Sequence, residues 1–180
     1  MDTQGKEGSF TPLIIVMIAS LIIVFLWDKL EFIKNSVEYI LNPTAGALLN
    51  WDMTLGMTII VLVLSIFMTL VQKYATDQKT LKEMKDEQKR LNDEAKKVRD
   101  NPEKMMEIQK ESMKFMVPMM KLSTRALIFT GIPFILFFRW FNDFFTVIDF
   151  RFFGFLDWFW FYLLGSIIFS SIFRKILKVV

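Results

Sequence analysis

The chain contains no cysteine and no histidine. Without thiols there is no disulfide frame and no thiolate nucleophile, and without imidazole there is no Ser-His relay, no histidine base and no ordinary zinc site. Most hydrolase and metalloenzyme readings fall on that ground, so the sequence reads as a non-enzyme with no cofactor and no metal. A large charge of one sign is missing too. The net charge is only +3, and the basic residues do not form the spread patch that DNA binding requires.

What is present is hydrocarbon, with 53% apolar residues, 20 Phe and 12 Met, and a mean hydropathy of +0.38. Charge is concentrated instead. Residues 73 to 114 hold 12 Lys/Arg and 10 Asp/Glu, more than half of all charge in the chain. Such segregation means two solvents.

A helix rising 1.5 Å per residue needs about 17 to 25 apolar residues to cross a ~30 Å hydrocarbon core. Met53 to Val71 is the clearest such run. Trp158 to Phe173 is another, and Ala126 to Phe138 reaches full length if extended back to Phe115, with Lys121 and Arg125 at the membrane surface. Pro12 to Trp27 is slightly short and ends in bulky Leu26 and Trp27, which disfavours signal-peptide cleavage. It reads as an uncleaved anchor or an interfacial helix.

Lys and Arg near span ends set orientation. Residues 73 to 125 carry 14 of them and the tail adds Arg174, Lys175 and Lys178, whereas 28 to 52 has only Lys29 and Lys34. The charged segment and the C-terminus are therefore expected in the cytoplasm. On the other side, residues 141 to 158 interleave Phe and Trp with Asp143, Asp149, Arg151 and Asp157, a composition suited to the headgroup layer. Residues 31 to 41 suggest a short amphipathic helix on the outer surface, ended by Asn42, Pro43 and Gly46.

In the charged segment Leu81, Met84, Gln88, Leu91, Ala95 and Val98 recur at steps of three and four, which is an a/d seam. Asp100, Asn101 and Pro102 break it, and Met105, Ile108 and Phe115 are available to face the seam on the way back. An antiparallel coiled-coil hairpin is expected, with about 28 residues per arm reaching ~40 Å. It is either a docking arm or a solvated spacer.

Polar atoms also enter the spans. Thr54, Thr58, Ser65, Thr69 and Gln72 fall within about 60° of arc at 100° per residue. Lys121, Thr124 and Arg125 share a face near the start of the next span, and Tyr162, Ser166 and Ser170 repeat every four residues in the last. Each hydroxyl alone reads as packing glue, but three stripes together suggest a shared hydrophilic groove open to the cytoplasm and to lipid. Met105, Met106, Met113, Met116, Met119 and Met120 crowd the return helix, as adaptable client-contact groups or as filler.

This order of elements resembles the Oxa/YidC/Alb superfamily of membrane-protein insertases, most closely the short archaeal YidC-like proteins. Met119, Met120 and Lys121 followed by Pro133, and Trp160 to Leu164, are similar to stretches of the insertase subunit of the eukaryotic endoplasmic-reticulum membrane complex. Bacterial and organellar members have five core spans and a lone arginine in the first; this chain has three core spans and no Arg between 53 and 72.

The expected fold is thus an all-α membrane protein with three core transmembrane helices. An N-terminal hydrophobic helix and external segment (1–52) precede core span 53–72, a cytoplasmic coiled-coil hairpin (73–115), core span 116–140, an aromatic external connection (141–157), and core span 158–180 with its basic tail. The resemblance implies an insertase in the plasma membrane that accepts nascent membrane proteins through the groove. It implies contact with the ribosome through the coiled coil or basic tail, and a possible partner membrane subunit. The alternatives are a membrane-anchored docking scaffold and a small oligomeric channel.

Overall fold

The computed structural model describes residues 10–98 and 100–179. Eight α-helices occur in this range: α1 (Thr11–Leu26), α2 (Glu31–Leu41), α3 (Ala47–Trp51), α4 (Met53–Ala75), α5 (Gln78–Lys97), α6 (Pro102–Ser123), α7 (Arg125–Val147) and α8 (Trp158–Leu177). The one isolated β-bridge joins Phe152 to Leu156. Four helical stretches are long and apolar enough to cross a bilayer, namely Thr11–Lys29, Met53–Ala75, Arg125–Val147 and Trp158–Leu177. The all-α membrane fold expected from the sequence is the one observed.

Chain connectivity sends α4 toward the charged hairpin, α7 back, and α8 toward the hairpin side again. Thus α4 and α8 run parallel, and they pack tightly. A Cβ at Gly165 would sit only 3.1 Å from Val61 Cγ1, so glycine sets the approach.

On another face of α7 lies α1, running antiparallel. Phe10 sits by Lys121 at the hairpin end, Val16 packs on Gly131, and the Trp27 indole N–H donates to Asp143 at 2.7 Å at the opposite end. A one-turn 3-10 segment, Trp27–Lys29, completes its length. With that segment α1 is long and apolar enough to be a candidate span, and it starts on the hairpin side.

The segment after α1 does not stop at Asn42. A π-helical turn, Asn42–Gly46, absorbs Pro43, which has no N–H to place in an α ladder, and the helix continues through α3. The Trp140 indole N–H donates to Asn42 Oδ1 at 2.8 Å and ties this turn to α7. The chain then folds back sharply, with the Asp52 carboxylate accepting the Leu55 N–H at 2.8 Å as the cap of α4. The fold-back needs Gly56, because any Cβ there would collide with the Leu48 carbonyl.

The main core lies in the half of the bundle away from the hairpin and is largely aromatic. Phe145 stacks on Trp158 at 6.0 Å, and Phe152 stacks on Phe161 at 4.3 Å. The expected headgroup-layer connection is thus partly interior: Phe152 is fully buried, while Phe153 and Phe155 are exposed at the tip of the turn. Burial of Phe152 brings Phe153 to φ 54 and Gly154 to φ 84, with the Phe152–Leu156 bridge closing the loop.

The hairpin breaks where expected, with Pro102 opening α6 and the Asn101 side chain accepting the Lys104 N–H at 3.2 Å. Leu81 and Leu91 are buried against α6, whereas Met84, Gln88, Ala95 and Val98 are half-buried. The arm is shorter than expected, since the 20 residues of α5 span ~30 Å. Its root is elsewhere too. Residue 116 falls inside α6, and the break before α7 comes at Thr124, whose hydroxyl bonds the carbonyls of Met120 and Lys121 at 2.9 and 3.2 Å. The helix that is the second core candidate span is therefore Arg125–Val147, and residues 116 to 123 of the expected span belong to α6.

Candidate functional site

An opening within the spans lies between α4, α7 and α8. It is a cavity of about 320 Å³ walled by hydrocarbon, including Val63, Phe67, Pro133, Phe134, Phe138 and Tyr162. A second space of about 290 Å³, under α3 and the π turn, shares Val63, Leu64 and Phe137 with it. Both spaces border the α4–α7 seam, with this stretch of wall in common, and together they make up the furrow of that seam. Its one hydroxyl from α7, Thr130, is bonded to the Ala126 carbonyl at 3.0 Å, so the wall offers hydrocarbon.

The α4 polar stripe does not line this furrow. Ser65 and Thr69 are buried, with the Thr69 hydroxyl donating to the Ser65 carbonyl at 2.7 Å. Both lie one and two turns beyond Val61, the residue that meets Gly165, so the stripe belongs to the α4–α8 packing face. Thr54 and Thr58 are half-buried, and Thr58 bonds the Thr54 carbonyl at 2.7 Å. Gln72 is half-buried near the exit, where its carbonyl accepts from the Gln78 amide at 2.9 Å. Ser65 Oγ is buried with no hydrogen-bond partner.

Among the α8 residues, Tyr162 reaches the cavity, between Phe134 at 6.0 Å and Phe138 at 5.8 Å. Ser166 bonds the Leu163 carbonyl at 2.9 Å, and Ser170 is half-buried beyond it. Lys121, Thr124 and Arg125 gather at the α6–α7 junction, at the hairpin end of the bundle, with Lys121 Nζ 5.9 Å from the Phe10 ring. Of the expected groove set, Tyr162 alone joins the furrow lining; the others serve helix packing, caps or the hairpin root.

Of the six methionines, Met105, Met106, Met113, Met116 and Met120 are exposed and Met119 is half-buried. Met105, Met113 and Met116 border a gap of about 420 Å³ between α5 and α6, opposite Gln88, Asn92 and Ala95. The remaining hairpin surface carries ion pairs. The Arg90 guanidinium, hydrogen-bonded to Glu87 at 2.6 Å, holds that carboxyl below its ordinary value and is itself raised. Lys96, bonded at 2.8 Å, lowers Asp93.

Sequence reasoning missed a polar cluster where α1 ends. Asp143 accepts from Trp27 and faces Lys34 at 3.3 Å, while the Arg139 guanidinium lies over the Trp27 ring at 5.6 Å. The signal was available, since Arg139 and Asp143 stand four apart in an otherwise apolar helix. Among the described residues no cluster of His, Cys, Asp or Glu is placed to hold a metal ion.

A model of a family described as integral membrane proteins, EMC3/TMCO1-like, matches residues 38–179. That is well over half of the chain; it includes α3 to α8 whole and leaves α1 outside. No curated protein and no solved structure gives a match.

Proposed function

The chain belongs to the EMC3/TMCO1-like family of integral membrane proteins, and from that premise we propose that it is a membrane-protein insertase. The family lies broadly within the Oxa1/YidC/Alb3 insertase superfamily, and the finer likeness to archaeal YidC-like proteins is part of the proposal. The observation that carries it is the furrow between α4 and α7, walled by hydrocarbon, with Lys121, Arg125 and the methionine-rich α6 at the hairpin end of the same bundle. Furrow and methionines together form a path for an apolar segment.

In this reading the hairpin and the basic tail face the cytoplasm at the plasma membrane, as the lysine and arginine distribution argues. A nascent transmembrane segment meets the exposed methionines first, because their flexible thioethers accept many apolar shapes. It then enters the furrow beside α7. Phe67, Phe134 and Tyr162 give it apolar contacts, and it leaves sideways into lipid, driven by burial of its own apolar area. A ribosome held by the coiled-coil hairpin or by Arg174, Lys175 and Lys178 would keep the emerging chain close, and a partner membrane subunit could flank the open side. No bond is made or broken, so the chain needs no cofactor for this work.

The hydrophilic version of the groove requires the α4–α8 interface to part, exposing Ser65 and Thr69. Photocrosslinking to a ribosome-stalled membrane-protein chain separates the two. Probes at Phe67 and Phe134 are expected to crosslink, and probes at Ser65 and Ser166 to stay silent. Crosslinks from Ser65 and Ser166 alone would replace the aromatic furrow by a hydroxyl groove. Silence at all four positions would end the insertase reading.

A further inference from the structure

Four lysines of α5 share one flank. At 100° per residue Lys82, Lys85, Lys89 and Lys96 occupy about 60° of arc, while Glu83, Glu87 and Glu94 fall on the opposite flank. The 420 Å³ gap between α5 and α6 opens on the lysine side. Asn92, three residues after Lys89 and four before Lys96, lines it. On the α6 bank the corresponding positions are Met106, Lys110 and Met113, all exposed.

The result is a groove lined by Met105, Ile108 and Met116 together with Gln88, Asn92, Gln109 and Ser112, with the lysine flank of α5 on one bank and Lys110, beside Glu103 and Glu107, on the other. Asp93 reaches the lysine flank but is already bonded to Lys96 at 2.8 Å. The groove stands in the water-exposed hairpin, outside the four apolar helices, so lipid does not account for its apolar residues.

Three occupants differ in what they leave unmatched. A nucleic-acid strand would use the lysines but find no aromatic ring among the lining residues on which to stack a base. A wholly apolar segment, such as a passing client, would use the methionines and gain nothing from the lysines. An amphipathic helix with an apolar stripe and acidic flanks matches both. We propose that the α5–α6 groove is a docking site for such an acidic amphipathic helix, contributed by a soluble partner, and that it completes a three-helix packing along the hairpin. The inference goes beyond the insertase reading and does not depend on the furrow.

The test uses the full chain in phosphatidylcholine nanodiscs, with empty nanodiscs as blank. The probes are fluorescent helical peptides of roughly 16 residues, about 24 Å long, with one leucine stripe flanked by glutamates, by lysines or by serines. Anisotropy is expected to show the glutamate peptide binding about tenfold tighter than the lysine twin at low salt, with the ratio shrinking as salt rises. The variant Lys82→Glu, Lys85→Glu, Lys89→Glu is expected to invert that preference while helix content by circular dichroism is unchanged. Equal binding of the glutamate and serine peptides overturns the proposal in favour of a purely apolar client. Tighter binding of a single-stranded RNA oligonucleotide overturns it in favour of nucleic acid. An unaltered preference in the triple variant places the acidic helix elsewhere and overturns it as well.

Discussion

Helix α4 meets α7 and α8 in opposite ways. Against α8 it presents Val61 to Gly165, with Ser65 and Thr69 buried further along the same face, and the backbones approach closely. Against α7 it meets Phe134, Phe137 and Phe141, and a furrow remains. Small and hydroxyl-bearing side chains let two helices close on each other, whereas rigid rings of fixed shape hold them apart and leave spaces between. Along α4, then, the polar stripe lies on the closed side, and the rings of α7 border the open one.

That contrast is broken most strongly at Gly165. Gly165→Val would drive a branched side chain into Val61, and a loss of about 3 kcal/mol is expected, read as a fall in the thermal midpoint in detergent. An unchanged midpoint would mean that α8 is not seated on α4 as described.

A smaller effect of opposite sign is expected at Ser65. Its buried hydroxyl has no partner, so Ser65→Ala removes an unsatisfied group and should stabilise by about 1 kcal/mol. Destabilisation would show instead that the hydroxyl is engaged in solution.

The furrow side should respond least in stability. Val63 is 55% exposed and edges both spaces, so Val63→Phe fills the furrow without displacing a packed neighbour. The midpoint should move by no more than about 0.5 kcal/mol, yet crosslinking of stalled chains to Phe67 should fall about tenfold. Undiminished crosslinking would move the client path away from the α4–α7 seam.

Much of the fold was legible because it follows from one-dimensional patterns. The apolar run from Met53, the run from Trp158 and the Asp100–Asn101–Pro102 break each rest on local energetics of solvation or backbone geometry. The break at Thr124 was less legible. Neither flanking residue forbids a helix, and the stop rests on the Thr124 hydroxyl competing for the Met120 and Lys121 carbonyls. Phe152 gave no local sign of burial, since a Phe among Phe residues reads the same inside or outside.

The candidate site was harder. Periodicity correctly groups Ser65 with Thr69 on one face of α4, but it carries no information about which neighbour that face meets. Likewise Arg139 and Asp143 were visible as charges, while Trp27, 116 residues before Asp143, was joined to it only by folding.

From the sequence alone came the membrane solvent, the number of core crossings and the placement of a charged hairpin between two of them, because transfer of side chains between water and hydrocarbon depends on composition and run length. Tertiary structure decided that α1 packs antiparallel along α7, that the hydroxyl stripe lies on the α8 side of α4, and that the open furrow is aromatic. These depend on which helix faces are brought together, and the closeness of each approach is set by pairs of residues far apart in the chain, such as Val61 with Gly165 and Val16 with Gly131.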